Sequence, residues 1–204
     1  FMATLKSDNW VIEDQALNFC DGNYIYSHPS LSSNGKFMVF SSDMPGSHGG
    51  LDLYVTKKEE GKWSTPENLG KQINSAGNEL FASLDSRNNL FLSSDGLPGE
   101  GGYDVFVCLY SGPGWEKPVN LSETINSKDD ELAFTVSRTD NSSAFYSSRP
   151  IYGKGRTQLF LVKSGPELAK NAEADLSTGI LALAGIGPKV YPEKSAVLQP
   201  EPMA

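Results

Sequence analysis

Apolar residues in this chain come in short runs of four to six, separated by clusters of Gly, Pro, Asn and Ser, and within the runs the alternation has a period of two. In Phe37-Met38-Val39-Phe40 aromatic and β-branched residues suit a pleated surface, and the turn Ser33-Asn34-Gly35 joins this run to Pro29-Ser30-Leu31. A Gly/Pro loop, Met44-Pro45-Gly46-Ser47-His48-Gly49-Gly50, leads into Leu51-Asp52-Leu53-Tyr54-Val55-Thr56, a polar hairpin at Lys58-Glu59-Glu60-Gly61, and Trp63. This predicts three strands and a fourth near Trp63. A 3.6-residue pattern is confined to the tail, where Glu167 to Ala174 suits a short helix and Ile180 to Ile186 a strand. The Pro-rich stretch with Pro188, Pro192, Pro200 and Pro202 then reads as a linker.

The pattern repeats. Phe40-Ser41-Ser42-Asp43 returns as Leu92-Ser93-Ser94-Asp95 after 52 residues, and as Tyr146-Ser147-Ser148-Arg149 after 54 more. Gly49-Gly50-Leu51-Asp52-Leu53-Tyr54 returns as Gly101-Gly102-Tyr103-Asp104-Val105-Phe106, and more loosely as Gly155-Arg156-Thr157-Gln158-Leu159-Phe160. Trp63-Ser64-Thr65-Pro66-Glu67-Asn68-Leu69 matches Trp115-Glu116-Lys117-Pro118-Val119-Asn120-Leu121, and Ile73-Asn74-Ser75 matches Ile125-Asn126-Ser127. Trp10 precedes Trp63 by 53 residues, so the N-terminal segment is expected to be the tail of a unit of the same kind. A fixed period of this length signals a solenoid or a propeller. Four short strands in roughly 50 residues match a propeller blade. The expected fold class is all-β, a β-propeller or part of one, with a partial unit at 1–27, repeats at about 28–77, 78–128 and 129–165, and a tail or start of a following domain at 166–204. Three units fall short of the four to eight blades of closed propellers. Residues 1–27 are expected to complete the last unit, and further units are expected upstream, or a strand from Ile180 to Ile186.

Composition narrows the partners. The 204 residues carry a net charge of −8, which disfavours phosphate backbones, so no nucleic acid is expected. The longest apolar run, from Gly179 to Ile186, is far short of the ~18 residues of a membrane-spanning helix. Phe1 to Lys6 shows no basic region followed by an apolar core, so no secretion signal is read there. Two cysteines, Cys20 and Cys108, are too few for a disulfide framework and too far apart for a metal knuckle.

Candidate chemistry is sparse. Asp43 with Asp52, and Asp95 with Asp104, flank glycine-rich loops that could offer oxygens to Ca²⁺. The plainer reading is that each caps backbone N–H groups of its own loop. Arg149 and Gln158 replace the acids in the third unit while the apolar frame persists, which favours the plainer reading, so no metal and no cofactor are expected. The glycine pairs are expected to supply positive φ before a strand. Trp10, Trp63 and Trp115 are expected to pack between units or over an edge. His28 and His48 occupy no repeated position and read as loop residues, and no Gly-x-Ser-x-Gly or His-Glu-x-x-His occurs. The expectation is a non-catalytic chain. The alternative is a carbohydrate-binding or glycoside-cleaving propeller whose carboxylates pair across a mouth.

The combination of Ser-Ser-Asp, Gly-Gly-x-Asp-[Leu/Val]-[Tyr/Phe], Trp-x-x-Pro-x-Asn-Leu and Ile-Asn-Ser, over residues 10–163, resembles the TolB-type, WD-like propeller repeats of Bacteroidetes envelope proteins. Such repeats often precede a carboxypeptidase-regulatory-like domain and an OmpA-family peptidoglycan-binding domain. The resemblance implies a protein-protein interaction scaffold in the periplasm, associated with the outer membrane, accessory to type IX secretion or gliding machinery. Its partners would be envelope proteins, with peptidoglycan reached only through another domain. The loops 45–50, 98–102 and 150–156 are the expected contact surface, with Ser47, His48, Glu100, Tyr152, Lys154 and Arg156 as its candidate residues.

Overall fold

A computed structural model describes residues 3–12, 17–138, 143–152, 155–163 and 201–202. The expected helix at Glu167 to Ala174 and strand at Ile180 to Ile186 lie outside the described residues. Among the described residues the protein is all-β, with fifteen strands. A hairpin of β1 (Ala3–Lys6) and β2 (Asn9–Ile12) stands as a separate two-stranded sheet. The first large sheet comprises β3 (Tyr26–Leu31), β4 (Phe37–Ser42), β5 (Asp52–Glu59), β6 (Lys62–Trp63) and β7 (Glu67–Asn68). The second runs in the order β8 (Glu79–Leu84), β9 (Leu90–Ser94), β10 (Asp104–Cys108), β11 (Val119–Asn120). The third runs in the order β12 (Asp130–Val136), β13 (Ser143–Arg149), β14 (Gln158–Lys163), β15 (Glu201–Pro202). All pairings are antiparallel.

The predicted period is visible down to the backbone. Each sheet opens on a strand interrupted at the same place, between Ser27 and Ser30, Leu80 and Ser83, and Leu132 and Thr135. His28, Phe81 and Ala133 sit in these bulges with positive φ, a conformation that costs a residue bearing a Cβ and that a β-bulge can impose. His28 is therefore a strand residue and not the loop residue the sequence suggested. Its ring lies 4.0 Å from that of Phe81, because β3, β8 and β12 are neighbours.

Alternation along the strands sends successive side chains to opposite faces, and the sheets stack so that each face finds a neighbour. Val39 and Leu53 of the first sheet pack with Leu84, Leu90, Leu92, Phe106 and Cys108 of the second. From the opposite face of the second sheet, Phe91, Val105 and Val107 pack with Phe134, Val136, Ala144, Tyr146 and Val162 of the third. The Phe91 and Phe134 rings lie 5.2 Å apart. Each fully buried Leu or Phe stabilises the fold by roughly 1.5–3 kcal/mol, so these two interfaces carry the core. The segment after β2 lays Leu17 and Phe19 on the remaining face of the first sheet, against Phe40 and Tyr54. Leu17 and Phe19 thus cover the first sheet, and among the described residues no strand before β3 pairs with the third. The edge of β14 is taken by Glu201–Pro202.

Both cysteines are free thiols. Cys108 fills the interface between the first and second sheets, where burial pushes its thiol pKa well up. Arg138 ties all three units together, its guanidinium donating to the carbonyl oxygens of Leu84 and Leu31.

Two hydroxyls sit badly in this core. Ser41 and Ser93 occupy equivalent positions, both fully buried, and neither side-chain oxygen has a hydrogen-bond partner. A buried polar group without a partner costs about 1–3 kcal/mol. Ser41→Ala and Ser93→Ala are each expected to raise stability by about 1 kcal/mol in chemical denaturation. Ser147→Ala, at the half-buried equivalent on the third sheet, should change little. Destabilisation by the first two would mean that the hydroxyls are satisfied in solution.

Candidate functional site

The loops between the second and third strands of each unit lie on one rim of the stack: 43–51, 95–103 and, of the third, the described residues 150–152 and 155–157. They are held by the same polar devices in successive units. The buried Asp52 carboxylate accepts the backbone N–H groups of His48 and Gly49 and the side-chain amide of Asn68. Asp104 accepts those of Glu100 and Gly101. Asp43 accepts the N–H of Ile25, and Asp95 the N–H and side-chain amide of Asn78. All four aspartates considered for Ca²⁺ are thus hydrogen-bonded to their own rim, and the described residues hold no group of three or more metal-ligating side chains.

The third unit inverts one of these pairs. Asp130 stands where the second unit has Asn78, and Arg149 stands where it has Asp95. The Arg149 guanidinium donates to Asp130 through Nε at 3.0 Å and through Nη2. Exchanging which strand carries the negative charge keeps the link between β12 and β13. The Asp-to-Arg change is therefore a compensated swap.

The glycine pairs differ from expectation. Gly49, Gly50, Gly101 and Gly102 are absent from the positive-φ positions. Close approach is what demands them: a Cβ on Gly49 would strike the carbonyl oxygen of Gly77, and one on Gly101 that of Asp129. Backbone bonds run across the same contact, from Gly50 N–H to Gly77 and from Glu79 N–H to Leu51, with Glu131 N–H to Tyr103 as the equivalent. The first and second rim loops are in this way stapled to the start of the next unit.

Beneath the staples lie two buried carboxyls at the start of β8 and β12, Glu79 and Glu131. Glu79 accepts the N–H and hydroxyl of Ser75 and the hydroxyl of Ser94, and Glu131 accepts the same set from Ser127 and Ser148. The signal was the repeated Ile-Asn-Ser followed four residues later by Glu. Burial raises both carboxyl pKa values above the ordinary range, against the lowering effect of the serine hydrogen bonds. Asn74 and Asn126 complete the repeated set, each bridging the backbone of Leu53 or Val105 and the side chain of Asn68 or Asn120.

The predicted contact residues divide. Ser47 is an internal brace, its hydroxyl donating to the carbonyl oxygens of Ser42 and Met44 and lying 3.0 Å from the Tyr54 hydroxyl. His48, Glu100, Tyr152 and Arg156 are exposed, Tyr152 to 88%. Lys154 lies outside the described residues. Glu100 also borders a shallow depression of about 540 Å³, with Pro98, Asn120, Ser122, Glu123 and Thr124. A second groove of about 450 Å³ opens between the first and second sheets beside Lys57, Glu67, Gln72, Tyr110 and Trp115. Trp115 packs as expected between units, meeting Phe37 edge-on at 5.6 Å and donating its N–H to the carbonyl of Asn88. Trp63 covers the first sheet's outer face, whereas Trp10 is exposed on its hairpin.

The raised carboxyls have a pH signature. The folded chain holds these protons more tightly than the unfolded chain, so their contribution to stability is complete below the ordinary glutamate pKa of about 4.3 and fades as pH rises through the raised value. In thermal melts the native chain is expected to gain on the Glu79→Gln/Glu131→Gln double variant as pH is lowered from about 7 to about 4. Parallel pH profiles would show that the two carboxyls titrate normally.

No family model matches the chain, and no curated protein matches it. The solved structures that match include a crystal structure of a mutant puromycin hydrolase, at 13% identity and a TM-score of 0.34, covering 68% of this chain and 27% of that one. The chain thus spans about a quarter of the length of that structure. The expectation of a non-catalytic chain is not kept beside this hydrolase structure. A likeness this weak assigns no reaction and no residue roles here, and the exclusion of catalysis is withdrawn.

Proposed function

We propose that the three sheets form part of a β-propeller of the TolB-type, WD-like kind, and that the chain serves as a scaffold for protein partners in a bacterial cell envelope, on the periplasmic side of the outer membrane. The rim carries this reading. Equivalent loops project from a rigid stack, the first two braced by Asp52 and Asp104 and by glycines set against the next unit, and the rim presents His48, Glu100, Tyr152 and Arg156 to solvent. Loops fixed on a rigid frame lose little entropy on binding, and Tyr and Arg are favoured anchors at protein interfaces. Face-to-face stacking of units at a constant period is the arrangement propellers use to protect their sheet edges. The motifs shared with Bacteroidetes envelope repeats support the compartment and a place in secretion or gliding machinery, with any peptidoglycan attachment left to another domain. Among the described residues no helix is long and apolar enough to cross a membrane.

The test is affinity capture from Bacteroidetes envelope extract, with the native chain and a Tyr152→Ala/Arg156→Ala/His48→Ala variant as parallel baits. One or more envelope proteins should be retained by the native bait and reduced at least about tenfold on the variant, the scale of losing one or two interface anchors. Recovery of no reproducible partner, or equal recovery by both baits, would refute the assignment.

A further inference from the structure

Strand register brings an unusual set of side chains to one end of the cleft between the first two sheets. Phe37 pairs with Lys57 across β4 and β5, and Val55 with Glu67 across β5 and β7, so these four side chains share the face that looks toward the second sheet. Val39 and Leu53, on the same face, seal the deeper part of that interface. Opposite stand Tyr110 and Trp115, drawn together by a backbone bridge and a tight turn that includes Gly112 at positive φ. Ring centroids of Phe37, Tyr110 and Trp115 lie 5.5–5.8 Å apart. The groove of about 450 Å³ between the two walls has the size of a small-ligand site. Gln72 ties the walls together, its side-chain amide donating to the carbonyl oxygen of Trp115 at 3.3 Å.

The repeat shows that the fold does not require this chemistry. In the second unit, 52 residues on, Leu109 stands in place of Lys57 and Val119 in place of Glu67, and Val119 packs against the core shared with the third sheet. The first unit instead sets an ammonium and a carboxylate, both exposed, on the wall of an aromatic groove. Among the described residues neither of these side chains, nor the Tyr110 hydroxyl, has a hydrogen bond or ion pair within the protein. We infer that this groove binds a carbohydrate, a short stretch of glycan built from all-equatorial pyranose rings. Such a ring has an apolar C–H face that packs on Tyr110 and Trp115, and a belt of hydroxyls that donate to Glu67 while accepting from Lys57 and Tyr110. A proline-rich peptide is the other common occupant of a groove lined by Tyr and Trp. It supplies few N–H donors, so it would leave the Glu67 carboxylate without a partner. The indole N–H that could bond its carbonyls is already given to Asn88. The groove lies at the opposite end of β4 and β5 from the first rim loop, since Phe37 and Lys57 stand at one end of that strand pair and Ser42 and Asp52 at the other. The inference is therefore independent of the rim and of any envelope partner.

The test is an NMR titration of the isotope-labelled native chain with cellobiose and, separately, with N,N′-diacetylchitobiose. At least one disaccharide should shift, in a saturable way, the amide signals of Gly112, Gly114 and the Gln72 side chain, and leave those of the rim loops in place. Lys57→Leu/Glu67→Val installs the residue types that the second unit already carries at these positions, so the variant should keep the native melting temperature. Its affinity for the sugar should fall by at least about tenfold, the worth of one charge-assisted hydrogen bond. Tyr110→Phe removes a single hydroxyl and should weaken binding by a smaller factor. No saturable shift with either disaccharide, shifts confined to residues outside the groove, or undiminished affinity in the double variant would each overturn the inference. So would saturation of the groove signals by an oligoproline peptide in place of both sugars.

Discussion

Everything in this protein depends on the burial of both faces of a sheet between its neighbours. The second sheet shows the condition in full: Leu90, Leu92, Phe106 and Cys108 point one way, Phe91, Val105 and Val107 the other, and all are sealed. Such a sheet cannot be stable alone, since each face would leave an apolar surface in water. Stability is therefore shared between adjacent units, as in other repeat architectures. The ends carry the cost, and exposed apolar side chains collect there.

Polar groups set the spacing and rotation that hydrophobic contact leaves free. The Gly49–Gly77 and Gly101–Asp129 approaches fix how near successive units come. The Glu79 and Glu131 networks and the Asn74 and Asn126 bridges anchor the start of each unit to the strands around it. Arg138 bonds to carbonyls of both preceding units, tying the three sheets together. Rigidity of this kind lets the rim loops act as a fixed surface.

Evolutionary tolerance is legible in the third unit. Its β12–β13 link survives an inversion of charge, Asp130 with Arg149 in place of Asn78 with Asp95. What the fold requires there is one charge-assisted bond across two strands, and either direction supplies it.

Periodicity by itself determined the all-β class and the three main strands of each unit, because period-two alternation and turn residues act locally and recur at 52 to 54 residues. Trp115 as a wedge between units and the aspartates as loop caps were likewise readable. Other features waited on tertiary structure, because they arise where distant segments meet. The glycine pairs are needed for the approach of a neighbouring unit and not for their own φ. Ser47 turned inward as a brace, and His28 landed in a strand bulge. Leu17 and Phe19 covered the first sheet, and among the described residues no strand before β3 paired with the third. Exposure belongs to the packed molecule and not to the residue: Leu31 is 44% exposed, whereas its register equivalents Leu84 and Val136 are each 2% exposed.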